Sequence, residues 1–135
     1  MKKVETAHGF YTLDIKGRTL VLTIHGVVDM EMALRFMLEA KIQLTKLPLN
    51  HWASLVDLRE WGLHPPEIAQ FIQEFEQWAE ENGQLAEAAV VNKSVLKIMA
   101  RNKLIAGVRK TVHQEYFETK EAAVEWLDAM SLYES

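Results

Sequence analysis

Two short segments of the chain concentrate the side chains best suited to binding or catalysis. DLREWGLH, at 57–64, holds a carboxylate, a guanidinium, an indole and an imidazole, and VNKS, at 91–94, leads into a predicted helix. Both follow predicted buried strands, and open α/β sheets tend to bind ligands where their parallel strands end. A lysine beside the free N–H groups of a helix start also suits an anion. The candidate binding residues are Asp57, Arg59, Trp61, His64, Asn92, Lys93, Ser94 and, one turn further on, Lys97.

Each of these residues also has a structural explanation, which is the commoner one for a single loop residue. Asp57 would then satisfy loop amides, Trp61 would cover the core, and His64 would precede a helix. Taken singly, each is more readily explained by structure than by function.

The chain lacks the common motifs of catalysis and cofactor binding. Its six glycines, at 9, 17, 26, 62, 83 and 107, are too far apart for a phosphate-binding loop. The five histidines are dispersed and there is no cysteine, so neither a metal site nor thiol chemistry is expected. A Gly-x-Ser-x-Gly elbow is absent as well. We therefore expect no catalytic residues, no metal, no cofactor and no enzymatic activity.

Length and charge narrow the classes of protein further. A chain of 135 residues suits one domain, and a net charge of −4 argues against nucleic-acid binding. Neither a signal peptide nor a membrane span is evident, so we expect a cytoplasmic protein. Seven glutamates and no lysine or arginine lie between positions 60 and 92, whereas six lysines and arginines and no acidic residue lie between 93 and 110. This contrast indicates either two solvated helix faces or a surface dipole that orients an anionic ligand or a partner.

The hydrophobic pattern predicts an α/β domain over residues 1–135. Alternating or continuous apolar runs predict strands at 10–15, 19–25, 52–58, 86–92 and 112–117. Helical periodicity predicts helices at 30–46, 65–82, 95–106 and 119–130, with N-caps at Asp29, Ser94 and Thr119. Since strands that alternate with helices need crossover connections, we expect a mixed five-stranded sheet that starts with an antiparallel hairpin.

The first predicted helix carries two apolar residues outside its buried stripe. Met30, Leu34 and Met37 share the predicted inner face, whereas Met32 and Phe36 fall on the flank of the polar face. This i,i+4 pair has no assigned place in the core, so both residues join the candidate binding residues. If exposed, they are expected to contact a second copy of the chain or a ligand, since methionine-rich surfaces adapt to apolar partners.

Three segments carry a resemblance to a known fold family. SLVDL at 54–58, AEAAVVNKSVLKIMARNKL at 86–104 and VHQEYFETKEAAVEWL at 112–127, together with the order of elements, resemble the SpoIIAA-like fold. That fold is shared by STAS domains, such as anti-sigma-factor antagonists and sulfate-transporter tails, and by CRAL-TRIO lipid-binding domains. The last two segments look like a bacterial branch of uncharacterised small SpoIIAA-like proteins, and the likeness covers residues 10–130.

The resemblance implies a non-enzymatic regulatory or protein-interaction module. In STAS antagonists, an Asp-Ser pair at the start of the second helix carries a serine that a partner kinase phosphorylates. Here that place reads LHPPEI, and Pro65 and Pro66 stand where the hydroxyl would be. The chain is therefore expected not to be switched in this way.

Two other functional hypotheses stay open. The CRAL-TRIO likeness implies a carrier or sensor of a small apolar or lipid-like ligand, with peripheral membrane contact as a further expectation. An enzyme with a dispersed site is the third hypothesis. A closed cavity would favour the carrier, whereas a flat apolar patch would favour a protein partner, including a second copy of the chain.

Overall fold

The computed structural model describes residues 2–47, 51–62, 66–101 and 111–133, without the side chains of 66, 67, 69 and 98–101. The described residues form a mixed α/β architecture with a single sheet. Its elements, in chain order, are β1 (Lys2–Thr6), β2 (Gly9–Lys16), β3 (Thr19–Gly26), α1 (Met30–Leu44), β4 (Trp52–Trp61), α2 (Pro66–Glu81), β5 (Gln84–Val90), α3 (Lys93–Arg101), β6 (His113–Phe117) and α4 (Lys120–Ala129).

The strands follow one another across the sheet in chain order, from β1 to β6. The strands β1, β2 and β3 are antiparallel, and β3 to β6 run parallel, joined by helical crossovers. The mixed sheet, its antiparallel start and the four helices are thus confirmed, but the described residues form six strands rather than five. The additional strand, β1, has the sequence KKVET, in which Val4 is the single apolar residue and alternation gives no signal.

Two apolar layers cover the sheet, one on each face. On one face, α1, α2 and α3 pack on the sheet through Met32, Leu44, Ile68 and Val95. On the other face, α4 is the one helix of the described residues that packs on the sheet. Its residues Ala123 and Leu127 meet small and branched side chains of the central strands, namely Val21, Ala53, Leu55, Ala86, Ala88 and Val90. Burial of these side chains supplies the main stabilisation, at roughly 1.5–3 kcal/mol for each large one.

N-capping residues mark the starts of α1 and α4, as the sequence predicted. Asp29 and Thr119 accept from the amides of Met32 and Ala122 at 2.8 and 3.2 Å, as N-caps do. The predicted cap at Ser94 is wrong. α3 begins at Lys93, and the side chain of Asn92 accepts from the amide of Val95 at 2.8 Å.

The inner face of α1 differs from the prediction. Met32 is 1% exposed and belongs to the core, and Phe36 is half-buried, with its ring centroid 5.0 Å from that of Phe75. Leu34, predicted to be buried, is 51% exposed. Because α1 has apolar residues all around its axis, periodicity alone did not identify the side that faces the sheet.

Candidate functional site

The candidate site begins on β4, which continues to Trp61, three residues past its predicted end. Asp57, Arg59 and Trp61 therefore lie on a strand rather than in a loop. Thr23 of β3 pairs with Asp57, but His25 pairs with Glu60, so β4 holds one extra residue there. Such a β-bulge bends the strand locally and re-aims its side chains.

Asp57 and Arg59 form a closely bonded ion pair beside this bulge. Arg59 Nε and Nη2 donate to the two carboxylate oxygens of Asp57 at 3.0 and 2.8 Å, and its backbone N–H donates at 3.2 Å. The side chain of Asp57 is 11% exposed and that of Arg59 is 39% exposed. A bidentate pair of this kind fixes the position of the Arg59 guanidinium. The part of the guanidinium that does not bond to Asp57 faces solvent.

The electrostatics of the pair favour its charged form. Burial raises the pKa of the Asp57 carboxyl, but hydrogen bonds from Arg59 and the charges of Arg59 and Lys120 outweigh burial and bring the pKa below its usual value of 3.8. The hydrogen bond to Asp57 raises the pKa of Arg59. Asp57 is therefore an ionised partner of Arg59 and is poorly suited to act as a general base.

Asn92 joins the start of α3 to the end of β4. Its Nδ2 donates to the carbonyl of Arg59 at 3.1 Å, while its Oδ1 caps the helix. Lys93, Ser94 and Lys97 follow on the first turns of α3, and all three are exposed. We call the surface formed by Asn92, Lys93, Ser94 and Lys97 the α3 face; Arg59 meets it through its backbone carbonyl, while the charge of Glu121 on α4 acts on its guanidinium.

The other predicted site residues do not join the α3 face. Trp61 is 9% exposed and packs in the core, in agreement with its structural explanation. Met32 is buried and Phe36 is half-buried, so the condition that both are exposed is not met: both residues pack in the core that covers the sheet, with Phe36 edge-on to Tyr11. His64 lies outside the described residues.

Sequence analysis missed a polar ladder beneath the helices. Ser54 donates to Glu87 at 3.2 Å, Gln114 donates to the other oxygen of Glu87 at 2.6 Å, and Gln84 donates to Ser54 at 2.7 Å. Ser54 pairs with Glu87 and Glu87 with Gln114 across three strands. A polar residue inside each of the three predicted strands was the available signal, but the pairing register was not.

A groove between β1 and α1 was also missed. It measures about 230 Å³, opens to solvent and is lined by Lys2, Val4, Arg35, Leu38 and Glu39. Lys2 Nζ lies 2.9 Å from Glu39 Oε1 across it. Nothing in the sequence marked this groove, because β1 itself was not predicted.

Tyr11 lies next to Val4 in the adjacent strand, and its buried hydroxyl has no hydrogen-bond partner among the described residues. Burial, followed by the negative charge of Glu39, raises the pKa of Tyr11 to about 12, against a smaller opposing effect of Arg35. The hydroxyl is therefore neutral at physiological pH.

The described ranges contain neither a cluster suited to a metal ion nor a membrane-spanning helix. No three His, Asp or Glu side chains there lie close enough together to hold a metal ion. Among the helices of those same ranges, none is long and apolar enough to cross a membrane.

The chain is similar in structure to known proteins. No protein-family model and no curated protein matches the chain. An uncharacterised DUF3478-family protein with a SpoIIAA-like fold from Shewanella loihica superimposes with a TM-score of 0.67 at 16% identity, covering 92% of this chain and 98% of that one.

Two further structures are anti-sigma factor antagonists. Unphosphorylated SpoIIAA gives a TM-score of 0.60 at 11% identity and covers 88% of this chain and 96% of its own. An anti-sigma factor antagonist from Mycobacterium paratuberculosis gives a TM-score of 0.53 at 12% identity, and the alignment covers 87% of this chain and 92% of that one. At such identities the likeness establishes the architecture, and the chain has a SpoIIAA-like, STAS-like fold.

Proposed function

We propose that the protein is a non-enzymatic regulatory module that binds a partner protein through the α3 face. The fold supports a role of this class, since two structural neighbours are anti-sigma factor antagonists. Fold alone does not determine function, so the proposal depends on the chemistry of the site.

The observation that carries the proposal is the start of α3, where Lys93 and Lys97 are exposed and the first turn holds no acidic residue. The Asp57–Arg59 pair at the end of the neighbouring strand β4 argues for binding rather than catalysis. Three hydrogen bonds hold Asp57 to Arg59, so its carboxylate is committed to the pair rather than available to a substrate. Arg59 is fixed but 39% exposed, which suits recognition of an acceptor group on another molecule. The arrangement is preorganised for binding and offers no obvious proton acceptor for catalysis.

The charges of α3 indicate the chemistry of the partner. Lys93 and Lys97 are four residues apart, exposed, and therefore on the same side of the helix. The first turn of α3 contains no acidic residue. We propose that the α3 face binds an acidic segment of a partner protein, because complementary charges accelerate association and select the partner.

The proposed module acts without the serine switch of STAS antagonists. α2 begins at Pro66, which has neither a side-chain hydroxyl nor a backbone N–H. Upstream, Ser54 is 7% exposed and its hydroxyl bonds to Glu87 and Gln84. Incubation with cellular kinases and peptide mass mapping of 52–82 is expected to find no stoichiometric phosphate, and phosphate on Ser54 would contradict this part of the proposal.

A carrier of a small apolar or lipid-like ligand is the alternative function. The groove between β1 and α1 is open, and three of its five lining residues are charged, which suits such a cargo poorly. Met32, one of the methionines behind the carrier hypothesis, belongs to the core. These observations favour the interaction module, and native mass spectrometry of protein from its own host would reveal any retained lipid.

Charge reversal on α3 tests the proposed function. A partner identified by affinity capture and mass spectrometry would be purified and titrated against Lys93→Glu/Lys97→Glu. The matched control is Lys16→Glu/Lys46→Glu, which changes the net charge equally at two exposed lysines outside α3. We expect the α3 variant to weaken binding at least about tenfold, mainly in the association rate, and the control to bind normally. Equal binding by both variants would contradict the proposal that the partner binds at the α3 face.

A further inference from the structure

The strand β1 leaves an unpaired edge at one end of the sheet. It pairs with β2 on one side, and no strand of the described ranges pairs with its other side. An edge strand presents unpaired backbone N–H and C=O groups, which form a template for another strand. Val4, at the centre of this five-residue strand, is 8% exposed and faces α1.

The charges of β1 are self-complementary about Val4. If β1 meets an antiparallel copy of itself with Val4 opposite Val4, Lys3 of each copy lies opposite Glu5 of the other. Both residues lie on the face away from α1, where Lys3 Nζ lies 3.2 Å from Glu5 Oε1 and 4.3 Å from the centre of the Phe10 ring. Charged residues usually protect an edge strand, but in this symmetric arrangement an antiparallel second copy would bring opposite charges together.

An apolar stripe borders the same edge on the α1 side. Leu34, Leu38 and Ile42 are spaced four residues apart and are 51%, 62% and 45% exposed. Leu38 also lines the groove between β1 and α1. The strand edge, the groove and this outward stripe therefore form one continuous surface, whose apolar part favours burial.

We propose that two copies of the chain dimerise through this surface, with β1 antiparallel to β1 about a two-fold axis at Val4. The two six-stranded sheets then form one continuous sheet, and the outward stripes of the two α1 helices approach each other across the axis. A strand edge of five residues is small beside the roughly 800 Å² that a stable interface buries on each partner. The outward stripe supplies the additional area, so both parts are needed. This surface is separate from the α3 face and does not depend on the proposed function.

Charge exchange between Lys3 and Glu5 tests both the interface and its register. In sedimentation velocity the native chain is expected to show a concentration-dependent species at twice 15.5 kDa. Lys3→Glu and Glu5→Lys each place like charges opposite each other at two positions and should weaken the dimer roughly tenfold or more. Mixing the two variants restores opposite charges in a heterodimer, and the double variant restores them in a homodimer.

The apolar part of the interface has its own test. Leu38→Glu is expected to give a monomer, while Ile72→Glu, a matched change at a 39% exposed residue of α2, leaves the dimer intact. Circular dichroism of each variant would verify that it is folded. A native chain that remains at 15.5 kDa up to its solubility limit would overturn the proposal. Failure of the mixed or double variants to recover the dimer would overturn the Val4-centred register.

Discussion

Replacing Arg59 with methionine is expected to destabilise the protein at neutral pH by leaving Asp57 buried without its cation. Methionine keeps the backbone N–H bond to Asp57 and much of the apolar stem, but it removes the two guanidinium bonds of 3.0 and 2.8 Å. A hydrogen bond to a charged group contributes roughly 1.5–3 kcal/mol. Because Arg59 is 39% exposed, solvent screens part of this energy, and we expect a loss of about 2–3 kcal/mol in the free energy of unfolding.

The pH dependence of this loss follows from the direction of the pKa shift. The pKa of Asp57 is lowered from 3.8 in the native chain, so its stabilising contribution is complete above that value. This stabilising contribution of Asp57 is lost as the pH falls below 3.8 and passes through the lowered pKa of its carboxyl in the native chain. Without Arg59, burial is the largest remaining influence and raises the pKa of Asp57. The variant therefore recovers stability on protonation, and the difference between the two proteins narrows as pH falls.

Urea unfolding at a series of pH values would measure this difference. The matched control is Arg35→Met, because Arg35 bonds to Glu31 at 3.0 Å in an i,i+4 pair whose two side chains are both 55% exposed. Such a pair contributes about 0.5 kcal/mol or less. Equal losses in the two variants, or a loss at Arg59 that does not change with pH, would refute the reasoning.

Four further substitutions test the packing by urea denaturation. Met32→Ala should lower the free energy of unfolding by about 2–5 kcal/mol, whereas Leu38→Ala should change that of the monomer by no more than about 0.5 kcal/mol. Similar losses in the two variants would show that the inner face of α1 is misassigned. Gly9→Ala should lower the free energy of unfolding by more than about 1 kcal/mol, because its Cβ would overlap the backbone carbonyl oxygen of His25, and a neutral effect would contradict this close approach. Tyr11→Phe should stabilise the protein by about 1 kcal/mol by removing a buried hydroxyl without a partner, and a loss of stability would imply a partner for that hydroxyl.

The fold was predictable wherever local pattern and tertiary structure agree. The apolar runs around Val56 and Val90 predicted β4 and β5, and Asp29 and Thr119 marked the starts of α1 and α4. β1 was missed because KKVET becomes a strand through its pairing with β2 rather than through its own pattern. The orientation of α1 was missed because apolar side chains occur on every side of that helix.

Sequence analysis proposed residues of the candidate site but could not predict their geometry. Asp57, Arg59 and Asn92 were candidates from their types and their places in the chain. Their arrangement depends on the bulge opposite Thr23–His25, which belongs to the pairing of two strands. The bond from Asn92 to the Arg59 carbonyl joins residues 33 positions apart, and no local pattern encodes it.

The most direct test of the α3 face is a photo-crosslinking amino acid placed at position 97 in the native host, compared with the same residue at position 46. The central claim predicts a defined protein adduct from position 97 that is absent from position 46 and weakens when Lys93 is changed to glutamate. Mass spectrometry of the adduct should map the crosslink to an acidic segment of the partner. Identical adducts from both positions, or a lipid adduct in place of a protein, would contradict the account.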